Sequence, residues 1–80
     1  MDAATVKHRL TKVFQDIFDD PNLQITESMT AADVDGWDSL THIDLIVQVE
    51  KEFNIKLSTG AIRELKDVGN FIALICAKTS

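Results

Sequence analysis

The segment Asp35-Gly36-Trp37-Asp38-Ser39-Leu40-Thr41-His42-Ile43-Asp44-Leu45-Ile46-Val47-Gln48-Val49-Glu50-Lys51-Glu52-Phe53 holds a turn, a cap and a helix in immediate succession. Asp38 or Ser39 can cap the helix, because short oxygen side chains accept hydrogen bonds from the free amides of a first turn. From residue 39 to residue 53 the apolar positions follow helical spacing. At about 100° per residue, Leu45, Ile46, Val49 and Phe53 gather within roughly a third of the circumference, which is an ordinary core stripe. Leu40, Ile43 and Val47 gather on the opposite side, flanked by Asp44 and Glu50. One helix of a small bundle seldom needs two opposed apolar stripes in order to fold. Either the second stripe packs beneath a neighbouring loop, or it is an exposed strip with an acidic border, as a docking surface requires. In the second case apolar contact supplies affinity, and rim charge supplies orientation and association rate.

Toward the N-terminus, residues 20–37 form a long connection containing Pro21, Gly36 and several Ser, Thr, Asn and Asp residues. Unstructured connections of this length are uncommon and often functional. Leu23, Ile25, Met29 and Val34 are its expected anchors on the core. Before it, Val6, Leu10, Val13, Phe14, Ile17 and Phe18 recur at three- and four-residue spacings and predict a helix over residues 4–19. The Asp19-Asp20-Pro21-Asn22 cluster stops that helix. Toward the C-terminus, Asn54 is the expected stop of the central helix. Residues 59–65 read as a short helical turn capped by Ser58 or Thr59. Residues 68–78 read as a last helix capped by Asp67, with Val68, Phe71, Ile72 and Ile75 as its stripe. Ile55-Lys56-Leu57 is too short to count as a strand. The fold class is all-α: a small four-helix bundle of three main helices plus a short third helix, with the long loop between helices 1 and 2.

Composition narrows the function. The chain has 80 residues, 45% hydrophobic and 26% charged, so residues 1–80 read as a single ordinary globular domain. A domain of this size leaves little room for a deep active site. One cysteine, Cys76, rules out an intrachain disulfide and reads as a small core residue rather than a reactive thiol. No apolar run approaches the ~20 residues of a membrane span, and no signal-peptide layout opens the chain. A cytoplasmic location is expected. The net charge is −5, yet residues 16–52 hold ten acids against Lys51 alone, while both flanks are slightly basic. Such a surface repels nucleic acid and attracts a basic protein partner, unless it is only a solvated acidic loop.

Asp38-Ser39-Leu40 at the start of the central helix resembles the hallmark of the acyl carrier protein family, in the broad sense that includes peptidyl and other thioester carriers. The surroundings strengthen the resemblance: an amphipathic helix ending in Val49-Glu50-Lys51-Glu52-Phe53, then Ile55-Lys56-Leu57, a short turn, and a final helix opened by Asp67-Val68. It covers nearly the whole chain, although the first 20 residues match only in helix pattern. The resemblance implies that Ser39 receives 4′-phosphopantetheine from coenzyme A, that Asp38 flanks the motif, and that cargo rides on the arm as a thioester. It implies a carrier rather than an enzyme. The expected partners are a phosphopantetheinyl transferase (holo-carrier synthase) and acyl-transfer, condensing or ligase enzymes with basic docking patches, in fatty-acid, polyketide or modified-lipid synthesis. Leu40, Ile43, Asp44, Val47 and Glu50 would meet them, and the carrier itself would be a monomer.

Five positions depart from the housekeeping fatty-acid carriers. Thr41 and Lys51 stand where those proteins usually have acids, Gly60 and Ala61 where acids are common in the short third turn, and Trp37 where they have a small residue. Gly36-Trp37-Asp38-Ser39-Leu40 resembles stand-alone carriers of specialised pathways instead. Trp37 also reads as a lid on the core. The alternatives are an aminoacyl or peptidyl carrier of the same class, and an unmodified helical interaction module. Read without the family, Ser39 is a plain helix cap. His42, one turn beyond it, invites a Ser–His nucleophile pair, but no oxyanion hole accompanies the pair and the core is too small to enclose a substrate.

Overall fold

The Asp2 carboxylate opens the first helix by accepting from the Thr5 amide at 2.8 Å, and α1 runs Ala3–Ile17. The structure, a computed structural model, describes residues 1–79. Val6, Leu10, Val13 and Phe14 supply the buried stripe of α1. The helix stops before the expected residue 19: Phe18 is its C-cap, and Asp19 turns the backbone left-handed at φ +50°. An aspartate tolerates that region better than most side chains, which makes it a natural breaker there.

The long connection is held down by its apolar residues. Ile25 and Val34 are buried, and Leu23 and Met29 pack half-buried against the core. Short turns carry the chain between these anchors: Leu23 N–H donates to Asp20 O, Met29 N–H to Thr26 O and Asp33 N–H to Thr30 O. The Gln15 amide donates to Leu23 O at 3.0 Å and ties the connection back to α1.

α2 spans Ser39–Phe53, the bounds expected from its spacing. It buries Leu45, Ile46, Val49 and Phe53. Asn54 ends it at φ +53°, and the following Ile55 N–H reaches back to Glu50 O at 3.1 Å, closing the last turn. α3 is Thr59–Arg63, two residues shorter than expected, with Ser58 capping it through the Ala61 amide at 3.2 Å. α4 spans Val68–Thr79 and buries Val68, Phe71, Ile72 and Ile75. Its Asp67 cap accepts from the Asn70 amide at 2.8 Å.

Loop backbone completes the start of α4. Val68 N–H donates to Met29 O at 3.0 Å and Gly69 N–H to Glu27 O at 2.8 Å. Amides at a helix start have no partner within the helix. Here the long connection satisfies two of them, and a single antiparallel bridge between Thr30 and Asp67 sits beside them.

α1 packs against both α2 and α4. The core has an aromatic centre. Phe14 meets Trp37 and Phe71 edge-on, with centroids 5.3 and 6.0 Å apart. Trp37 and Phe71 are 6.2 Å apart. Cys76 is half-buried against this core. On the outside, Arg9 Nε pairs with Glu52 Oε2 at 2.7 Å and its guanidinium lies 4.8 Å from the Phe53 ring centroid, clasping the end of α2 to α1. Among the described residues, no polar or charged residue is buried, and no helix is long and apolar enough to cross a membrane.

Candidate functional site

The first turn of α2 emerges from a backbone that only glycine adopts easily: Gly36 has φ +88°. Trp37 then drops into the core and Asp38 caps the helix. Its Oδ1 accepts from the Leu40 and Thr41 amides, each at 3.0 Å. Thr41 answers: its Oγ1 accepts from Asp38 N–H at 2.7 Å and donates to Gly36 O at 2.6 Å. The result is a capping box, with threonine in the place where glutamate often stands. A carboxylate at Thr41 would accept from Asp38 but have no hydrogen to give Gly36. The Thr41 amide, with the Thr41 hydroxyl and the Leu40 amide behind it, holds the Asp38 carboxyl below the ordinary carboxylate range.

Capping therefore belongs to Asp38 and leaves Ser39 free. Ser39 is the first residue of α2 and exposed. Among the described residues its hydroxyl has no hydrogen-bond partner, so nothing competes for Oγ. The other described serines lack this combination. Ser58 spends its hydroxyl on capping α3, and Ser28 lies in the long connection rather than on a helix.

Beyond Ser39, the second apolar stripe of α2 faces outward. Leu40 is 75% exposed, Ile43 60% and Val47 41%. They do not pack beneath the long loop, which is occupied instead by Ile25, Val34 and Trp37. Asp44 is exposed beside them. Glu50 is placed differently: it is half-buried, and its Oε2 accepts from Leu57 N–H at 2.9 Å. Part of its charge is thus engaged in holding the α2–α3 connection, which the helical spacing gave no means to foresee.

His42 and Trp37 form a pair. Trp37 Nε1 donates to His42 Nδ1 at 3.2 Å, and the two ring planes lie within 16° of parallel with centroids 6.2 Å apart. Phe71 lies 5.9 Å from His42 and 6.2 Å from Trp37, so the three rings meet as a cluster. With Nδ1 accepting, the neutral ring carries its proton on Nε2. It has no basic nitrogen left for Ser39, and no Ser39–His42 hydrogen bond exists among the described residues. Trp37 is buried at 6% exposure against Phe14 and Phe71, in keeping with a lid on the core.

Ala31, Trp37, Asp38, Ser39 and His42 line an open hollow of about 390 Å³ beside the serine. Sequence reasoning missed Ala31 and the role of Thr41. The Asp38-x-x-Thr41 spacing was the available signal for Thr41, whereas nothing local marks Ala31. No group of three or more His, Cys, Asp or Glu suited to a metal ion occurs among the described residues.

The profile of the family described as "Phosphopantetheine attachment site" matches residues 8–75. The chain is 28% identical over 75 residues to an acyl carrier protein of Caulobacter vibrioides, covering 94% of this chain and 96% of that one. The sequence from a second strain of that species matches equally. A solution NMR structure of holo acyl carrier protein from Geobacter metallireducens superposes with a TM-score of 0.84 at 39% identity, covering 90% of this chain and 83% of the other.

Proposed function

The chain belongs to the phosphopantetheine-attachment family, and from that membership we propose that it is an acyl carrier whose 4′-phosphopantetheine arm hangs from the Ser39 hydroxyl. The observation that carries the assignment is the division of labour at the start of α2. Asp38 and Thr41 take over the capping, while the adjacent hydroxyl stands exposed and unbonded. The residues fit the group in a second respect. A phosphodiester at Ser39 stands at the positive end of the helix dipole, where Asp38 already takes the Leu40 and Thr41 amides. Bound there, the arm supplies a thiol that holds cargo as a thioester. Cys76 is then not needed as a thiol, in keeping with its half-buried place against the core.

The protein's own part is presentation. In loading, Ser39 Oγ takes the phosphopantetheinyl group from coenzyme A and loses its proton, and the nucleotide half departs. The capping box fixes the backbone on either side of Oγ, so the transferase meets one geometry. The Leu40-Ile43-Val47 strip lies on the same helix, with Asp44 at its border, and this pairing suits it to receive the transferase and later acyl-transfer, condensing or ligase enzymes through basic patches. The chain catalyses nothing itself in this reading and works as a monomer in the cytoplasm. Trp37 and Thr41 favour a specialised carrier over a housekeeping one, because each is built into the local structure in place of the usual residue.

The test is direct. Purified protein is incubated with coenzyme A and a promiscuous phosphopantetheinyl transferase, then weighed intact. A gain of one phosphopantetheine is expected. An unmodified protein, in conditions that load a control carrier, would defeat the proposal.

A further inference from the structure

We propose that the hollow beside Ser39 is a seat for the uncharged pantoyl part of the arm, with His42 Nε2–H as its hydrogen-bond donor and Trp37 and Ala31 as its apolar wall. The inference rests on Ser39 as the attachment point. It adds a resting place on this chain that attachment alone does not require, since an arm on an exposed serine is free to stay in solvent.

Three features point to this occupant. The first is continuity: Ser39 itself lines the hollow, so whatever is tethered to Oγ begins at its rim. The second is the chemistry of the lining. Trp37 and Ala31 offer apolar surface, and Nε2–H is the one ring group of His42 left after Trp37 takes Nδ1. Among the described residues no acceptor is bound to it. The pantoyl unit is matched to such a lining, with two methyl groups on one carbon and then a hydroxyl and an amide carbonyl. The third is charge. Asp38 also lines the hollow, and its negative charge disfavours the phosphodiester there and so favours the neutral segment as occupant. His42 is also held in place for the task, hydrogen-bonded to Trp37 and packed beside Phe71. A donor fixed by packing loses less freedom on binding than a mobile one.

The experiment uses the full chain. The holo form is made with coenzyme A carrying a ¹³C-labelled pantoyl unit and confirmed by mass, then compared with the apo form by NMR. The chain has a single tryptophan, so the indole Nε1–H signal belongs to Trp37 without ambiguity. The expected result is nuclear Overhauser contacts from the pantoyl methyls to the Trp37 ring and the Ala31 methyl, together with a shift of the indole signal on loading. Ala31→Leu, at an exposed position, fills the hollow. It should load to the same mass while losing those contacts several-fold. A protein that is holo by mass yet shows no such contacts and an unmoved indole signal overturns the seat and leaves the attachment standing. A protein that gains no mass overturns both.

Discussion

Replacing Ser39 by alanine removes a hydroxyl that makes no hydrogen bond among the described residues, so loading should vanish while stability stays within about 0.5 kcal/mol of wild type by thermal or denaturant unfolding. Replacing its neighbour should do the reverse in kind. Asp38→Ala leaves the Leu40 and Thr41 amides without their acceptor and should lower Tm at neutral pH. The sign with pH follows from the depressed Asp38 carboxyl. A group held below its unfolded value contributes stability above that unfolded value and loses it as pH falls through the folded one. The Tm difference between wild type and Asp38→Ala should therefore be full near neutrality and shrink on acidification. A difference that grows toward acid would contradict the cap. At this scale the sequence was only partly legible. Asp38 and Ser39 were equivalent as caps on paper, and only the 3.0 Å bonds to Asp38 Oδ1 separate a structural acid from a free serine.

The two stripes of α2 make opposite predictions. Leu45 is fully buried, and Leu45→Ala should cost about 2–5 kcal/mol of stability. Ile43→Asp and Val47→Asp alter exposed positions and should change stability by about 0.5 kcal/mol or less while weakening the transferase and other partner enzymes. A collapse of Tm in either would make those residues core and end the docking reading. The two helix glycines form a second contrast. A Cβ at Gly60 meets nothing within 4 Å, so Gly60→Ala should stabilise α3 by up to about 1 kcal/mol. A Cβ at Gly69 would lie 3.1 Å from Glu27 O, the carbonyl that the Gly69 amide itself holds, so Gly69→Ala should gain nothing or lose stability. Element bounds were legible wherever spacing and a cap agreed, as at Ser39–Phe53. They were less so where a backbone choice intervened, as at the left-handed Asp19. The meeting of Glu27 and Met29 with the start of α4 joins residues far apart in the chain, and no local pattern announces it.

Across the whole molecule, charge and packing divide the surface. Asp35, Asp38 and Asp44 are exposed within five residues of the proposed attachment point, while Arg9 is drawn to Glu52 and Phe53 at the far end of α2. Affinity for a basic partner such as the transferase should fall as salt rises, because exposed charges are screened over a Debye length of about 8–10 Å near physiological ionic strength. Binding that ignores salt would remove the electrostatic half of the docking account. The helical class and the three main helices were readable from periodicity, and the short third helix from its Ser58 or Thr59 cap. The aromatic centre was not: Phe14, Trp37, His42 and Phe71 come from three helices and a loop, and only the fold brings them together.

The central claim is that one hydroxyl carries the arm, and peptide-level mass spectrometry after loading tests it most directly. The chain has four serines, at positions 28, 39, 58 and 80. The account predicts that the added phosphopantetheine maps to Ser39 and that Ser39→Ala, folded as wild type, gains no mass. Phosphopantetheine found on another serine, or retained in Ser39→Ala, would contradict it.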